Sequence, residues 1–116
     1  MFEYNKELEL YAVDLGNAII TCDEVADGFE ELAKKVADNY TRKLDDIVDF
    51  LSGEGISDYF GELSPDQIKA GLGVPLIDIG SQTVTYTDHT LDKAHIIEFE
   101  YDDSEFGDFS MLAIDG

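Results

Sequence analysis

Thr21–Ser52, TCDEVADGFEELAKKVADNYTRKLDDIVDFLS, is the stretch whose reading decides the fold. Its apolar residues Val25, Phe29, Leu32, Val36, Tyr40, Leu44, Ile47 and Leu51 recur at steps of three or four. That spacing keeps them on one face of a 3.6-residue period and predicts one long amphipathic helix. Thr21 with Glu24 reads as a capping box, Ile20 with Val25 as its hydrophobic staple, and Gly53 as the left-handed residue beyond the end. Unbroken, such a helix is roughly 45 Å long. Gly28 and Asn39 are the weak helix formers where it would kink or break. Glu30–Lys34, Glu31–Lys35 and Asp38–Arg42 give its outer face acid-before-base pairs at i,i+4, each contributing about 0.2–0.5 kcal/mol.

A helix with that stripe needs a covering layer, and the C-terminal third supplies one. Leu76–Ile79 and Thr83–Thr87 read as strands joined through a type II′ turn at Gly80-Ser81. Asp88–Lys93 is a loop. Ala94–Tyr101 alternates, with Ile97, Phe99 and Tyr101 on one face and Ile96, Glu98 and Glu100 on the other. Asp102–Gly107 turns and Phe109–Ile114 is a last strand. The short connections favour an antiparallel meander of these four strands.

On the N-terminal side, residues 7–15 read as a strand, with Gly16-Asn17 as the turn and Ala18-Ile19-Ile20 as the return. Leu8, Tyr11 and Leu15 would also share one face of a helix. Three glycines make residues 53–61 a loop, whose Ile56, Tyr59 and Phe60 turn back toward the core. Ser64, Pro65 and Gln67 mark a second, short helix that stops at Gly71 or Gly73, with Leu63 and Ile68 as its staple. The expected fold is a single α+β domain over residues 1–116. One long and one short helix pack on an antiparallel sheet of about four to six strands ending in a β-meander.

The charge bounds the function. Twenty-seven acids against seven bases give a net −20, on a chain that is 44 % hydrophobic and so able to bury a core. Residues 1–52 hold 13 acids and 5 bases; residues 53–116 hold 14 and 2. Nucleic acid and anionic membranes would be repelled, whereas a basic protein would be attracted in a fast, salt-sensitive encounter. The same excess would also serve solubility or adaptation to high salt. There is no apolar run long enough to span a membrane. Met1-Phe2-Glu3-Tyr4 does not open a signal peptide, and one cysteine cannot form an internal disulfide. The expected location is a reducing cytoplasm.

Acids cluster in two places. Glu98, Glu100, Asp102, Asp103, Glu105 and Asp108 crowd the end of the sheet, with Phe106 among them. Asp45, Asp46 and Asp49 lie toward the C-terminal end of the long helix, where the helix dipole disfavours them. Carboxylates interleaved with an aromatic suit docking to a Lys/Arg-rich partner, so these ten residues are the expected partner-binding set. Asp102–Gly107 does not make an EF-hand loop, because Phe106 and Ala113 stand where oxygen ligands are required. Cys22, at the expected helix start, is the one thiol, but Asp23 and Glu24 oppose its ionisation. His89 and His95 belong to no metal or catalytic motif, and no phosphate-binding glycine loop is present. No catalytic residue, metal or cofactor is therefore expected, and monomer and homodimer are both open.

His95-Ile-Ile-Glu-Phe-Glu-Tyr-Asp-Asp103 and Ser110-Met-Leu-Ala-Ile-Asp-Gly116 resemble the ending of small acidic bacterial proteins of unknown function, of the immunity-protein kind. Some proteins of this type are thought to neutralise a toxin; the resemblance implies a bacterial cytoplasmic protein and carries over no catalytic or binding residue. The functional expectation is a non-enzymatic inhibitor masking a basic protein. The alternatives are a nucleic-acid mimic, and a small-ligand protein or enzyme built on Cys22 and the loop glycines.

Overall fold

The computed structural model describes residues 1–92 and 95–115. Lys93, Ala94 and Gly116 lie outside the described residues, and with them the first residue of the strand expected at Ala94. The chain is α+β, as its periodicities require. Seven strands form one sheet: β1 (Glu3–Asn5), β2 (Leu10–Asp14), β3 (Ile19–Cys22), β4 (Leu76–Asp78), β5 (Thr83–Tyr86), β6 (Ile96–Tyr101) and β7 (Phe109–Asp115). Their spatial order is their sequence order. Every neighbouring pair is antiparallel except β3 and β4, which run parallel. Four helices, α1 (Phe29–Arg42), α2 (Leu44–Gly53), α3 (Ser57–Phe60) and α4 (Pro65–Gly71), occupy the connection between those two strands. A parallel pair requires such a crossover. The meander β4–β7 is present as expected, and the sheet exceeds the expected four to six strands by continuing through β3 to β1.

The long helix begins later than its capping signal. Thr21 and Cys22 belong to β3. Thr21 lies between Ala12 on one side and Asp78 on the other, and Ile20 between Val13 and Ile77. The β-branched run Ile19-Ile20-Thr21 thus gains a ladder along both edges, which a local capping box cannot match. Val25, the expected staple, is exposed. The helix starts after Gly28, which adopts φ 85 and needs no side-chain cap to turn the chain. It breaks at Lys43 (φ −101, ψ 7), one turn beyond Asn39. The Lys43 amide still donates to Asn39 O and its carbonyl accepts from Ile47 N, so α1 and α2 follow each other closely.

The predicted stripe does face the sheet. Val36, Tyr40, Ile47 and Leu51 are buried against Ile20, Ile77, Val84, Tyr86, Ile97 and Phe99. The Phe50 ring lies 5.5 Å from that of Phe99 and 5.7 Å from that of Phe109. Asn17, in the β2–β3 turn, donates to Ala37 O and Thr41 Oγ1 and so fastens that turn to α1. Gly16 takes φ 90 there, as a hairpin turn demands. At α4 the capping box forms as the sequence predicts: Gln67 N donates to Ser64 Oγ and Ser64 N to Gln67 Oε1. Of the loop residues expected to turn inward, Ile56 is buried and Phe60 partly so, but Tyr59 is exposed.

Four local readings change. Ser57–Phe60 of the expected loop form the short helix α3. Residues 7–9 form a turn, with Glu9 at φ 57, so β2 starts only at Leu10. The β4–β5 connection is not a type II′ turn. Its left-handed residue is Gln82 (φ 57) and not Gly80. Asp78 Oδ1 holds the turn by accepting from Gly80 N, Ser81 N and Ser81 Oγ. In β7, two residues oppose Phe99, and Met111 bulges out at φ 57 with 72 % of its surface exposed.

Candidate functional site

One face of this sheet carries the helices; among the described residues none lies on the other. The ladder registers assign each strand residue to a face. Ile97 and Phe99 are buried toward the helices, so Glu98 and Glu100 between them point away. Across the sheet, Glu98 aligns with Thr85, Leu76, Ile19 and Asp14; Glu100 aligns with Thr83, Asp78, Thr21, Ala12 and Glu3. Ile96, on the same side as Glu98, pairs with Asp115. Six acids therefore share this face: Glu3, Asp14, Asp78, Glu98, Glu100 and Asp115. Among the described residues, they are all the acids the strands contain, and the strands contain no Lys or Arg. Alternation produces this separation: every second strand residue must be apolar to meet the helices, so each charge falls on the open side.

A depression of about 170 Å³ sits in the middle of that face. Leu8, Leu10 and Leu76 form its apolar wall, and Thr21, Ser81, Thr83 and Thr85 line it with hydroxyls. Asp78 supplies its only charge. The carboxylate is held firmly. Its Oδ1 accepts the three donors of the β4–β5 turn, and its Oδ2 accepts from Thr21 Oγ1 at 3.0 Å. A second hollow toward β1 is edged by Glu3, Asp14 and Ile19.

The residues expected from the sequence fall in three places. Glu98 and Glu100 lie on the open face beside the depression. Asp102, Asp103, Glu105 and Asp108 lie in the β6–β7 connection, where three of them brace the turn. Asp102 Oδ1 accepts from Asp103 N and Asp108 N, Asp103 Oδ1 from Glu105 N, and Asp108 Oδ1 from Phe109 N. Glu105 reaches Lys35 of α1 at 2.9 Å, and this bond holds its carboxyl below the ordinary range. Phe106 is not available as an interface aromatic: it is 1 % exposed and its ring stacks on Tyr101 at 4.5 Å. Asp45, Asp46 and Asp49 belong to α2, on the opposite side of the sheet from Glu98 and Glu100. Asp45 pairs with Lys69 at 2.9 Å and Asp46 with Lys43 at 3.7 Å. Glu98 and Glu100 are thus separated from the α2 acids by the thickness of the sheet, whereas the β6–β7 connection reaches α1 through Glu105 and through Ser104 O, which accepts from Asn39.

Cys22 is not at a helix start. It is buried in β3, and burial first, then Asp78 and Asp23, push its thiol up. His89 is buried against the Phe60 ring; His95 pairs with Asp92 at 2.6 Å. Among the described residues, no three side chains of His, Cys, Asp or Glu gather as a metal site, and no helix is long and apolar enough to cross a membrane. The chain matches no protein-family model, no curated protein and no solved structure.

The depression had no signature in the sequence. Its walls come from the 7–9 turn, β2, β3, β4 and β5, and they meet only because β3 pairs with β4. The one local signal was Asp78 followed by Gly80-Ser81, an aspartate positioned to bond its own turn.

Proposed function

We propose that this chain is a non-enzymatic binding protein of the immunity type, bacterial and cytoplasmic, which masks a basic protein such as a toxin. The observation that carries this reading is the open sheet face. All six strand acids point from it and no strand base dilutes them. Apolar Leu10, Ile19, Leu76 and Ile96 lie between the acids. Such a surface can desolvate against a partner while its charge steers the approach. The β6–β7 connection extends the acidic surface at one end through Asp102, Asp103 and Asp108, while its Glu105 is paired with Lys35 of α1. Among the described residues, the Lys and Arg side chains outside the helical layer reduce to Lys6, so the field of this face is nearly one-signed. Steering of this kind raises association rates and falls with ionic strength.

The test is capture from the source cell's lysate on the immobilised protein at low salt, followed by a salt gradient and mass spectrometry. One basic protein retained beyond about 0.3 M salt, where the Debye length is roughly 5–6 Å, is the expected result. Its association should slow at least tenfold with Glu98→Lys/Glu100→Lys and much less with Asp45→Lys/Asp46→Lys. A smear of basic proteins leaving early, or equal effects of the two double variants, would overturn the reading. Competition by duplex DNA for the captured partner would reassign the face to nucleic-acid mimicry.

A further inference from the structure

We infer that the depression around Asp78 is a lysine socket: it takes the side chain of one lysine from the basic partner, with the ammonium on Asp78 and the stem along the leucine wall. This rests on the proposed function for the source of the lysine, but the socket is a property of the free chain.

Three features carry the inference. The first is shape and lining. Leu8, Leu10 and Leu76 give one side an apolar wall, and a ring of hydroxyls surrounds the single carboxylate. Long cationic side chains bury their methylene stems on apolar surface and keep the charged head on polar groups. An apolar cavity of ~150 Å³ admits a benzene molecule, so about 170 Å³ accommodates a four-carbon stem.

The second is the state of the carboxylate. Asp78 Oδ1 already accepts three donors, whereas Oδ2 accepts only Thr21 Oγ1. One oxygen therefore has acceptor capacity left. A guanidinium prefers to grip both oxygens of a carboxylate through its planar fork, and here one of the two is filled. An ammonium is a point charge with three donors that need not share a plane. It can use Asp78 Oδ2 and place its remaining donors on the neighbouring hydroxyls of Thr83 and Thr85. The socket accordingly selects lysine over arginine.

The third is the surrounding charge. Glu100 pairs with Thr83 and Glu98 with Thr85, so two more acidic residues stand one strand over, their Cβ atoms about 5 Å from those of the lining threonines. No strand base competes. The site is central in the most acidic face and pre-shaped by turn hydrogen bonds, so little ordering is needed on binding.

The test uses the free ¹⁵N-labelled protein and Nα-acetyl-lysine N-methylamide, with the arginine and norleucine analogues for comparison. Saturable amide shifts centred on Leu8, Leu10, Leu76, Thr83 and Thr85 are expected with the lysine probe. Binding should be at least tenfold weaker for the norleucine probe and weaker for the arginine probe. Asp78→Asn keeps an acceptor for the turn amides and should lose at least tenfold, while Asp45→Asn, which removes the same charge from the helical layer, should lose less than twofold. Thr85→Trp fills the depression without changing any charge and should abolish the saturable shifts. Non-saturating shifts spread over the acidic surface, equal loss in Asp78→Asn and Asp45→Asn, binding unaffected by Thr85→Trp, or tighter binding of the arginine probe would each overturn the socket. Failure here leaves lysate capture free to succeed. A positive titration with no captured partner would retire the proposed function and keep the socket.

Discussion

Tyr40 and Tyr86 meet hydroxyl to hydroxyl at 2.8 Å inside the core, one from α1 and one from β5. Tyr86 is wholly buried and Tyr40 nearly so. Each hydroxyl has the other as its partner, so removing one strands its mate. Tyr40→Phe leaves the Tyr86 hydroxyl where water cannot reach it. An unsatisfied buried hydroxyl costs about 1–3 kcal/mol, and its complete burial places the expected loss near ~2 kcal/mol. Tyr86→Phe strands a hydroxyl slightly nearer the surface, for a loss of about 1–2 kcal/mol. The double variant removes both groups and leaves two well-packed rings, so it should lie within about 1 kcal/mol of the parent. The coupling energy is then roughly 3 kcal/mol, the upper end of the range found for contacting residues. Urea unfolding of the four proteins measures it directly, and the m-value should not change. In a domain of this size the Tyr40→Phe protein should melt about 8 °C lower. Single variants that each lose under about 0.5 kcal/mol, or a double variant whose loss equals the sum of the singles, would refute the claim that each hydroxyl is satisfied by the other.

Burial pushes Tyr40 up to about 12 and raises Tyr86 and Tyr101 as well. A raised folded-state pKa gives stability that is intact below the unfolded value of ~10 and lost as pH climbs through the folded values. Tyr40 should forfeit on the order of 1 kcal/mol by pH 11, Tyr86 and Tyr101 should act in the same direction, and absorbance at 295 nm should show three tyrosines ionising only as the protein unfolds. Cys22 should react with Ellman's reagent at least a hundredfold more slowly in the native protein than in urea, because both burial and its raised pKa suppress the thiolate. Gly71→Ala should destabilise by about 1–3 kcal/mol through overpacking, despite the gain of ~0.5–1 kcal/mol that alanine brings to a helix, because the new Cβ runs into the Leu91 side chain. In a Leu91→Ala background the same change should be neutral or stabilising by urea unfolding.

The parts of the fold legible in the sequence were those whose determinants are local. Ile97, Phe99 and Tyr101 announced the buried face of β6 by simple alternation, and the same alternation put Glu98 and Glu100 on the open side. Ser64 and Gln67 announced α4 because a capping box is complete within four residues. Thr21 and Glu24 offered the same local signal and it failed, since Thr21 had partners on β2 and β4 that no local window contains. The three-residue β1 was too short for any periodicity to register. The acidic surface was legible as composition, but its division was not. The α2 acids and the β6 acids are separated by the sheet, and Asp14, Asp78 and Asp115 join the open face only through the ladder registers.

The single parallel pairing of β3 with β4 also governs how the chain finds its shape. On either side of it, each strand pairs with the next along the sequence through a turn or a loop of at most nine residues, and such hairpins close quickly. Thr21 and Asp78, by contrast, stand 57 positions apart, with all four helices between them. Loop closure over that distance must be met before the pairing returns any stabilisation. The seam is therefore the kinetic bottleneck, and the helices act as the splint that draws two fast-forming ladders together. Weakening Ile20 or Ile77 should slow refolding itself, whereas weakening the β6–β7 hairpin should mainly hasten unfolding.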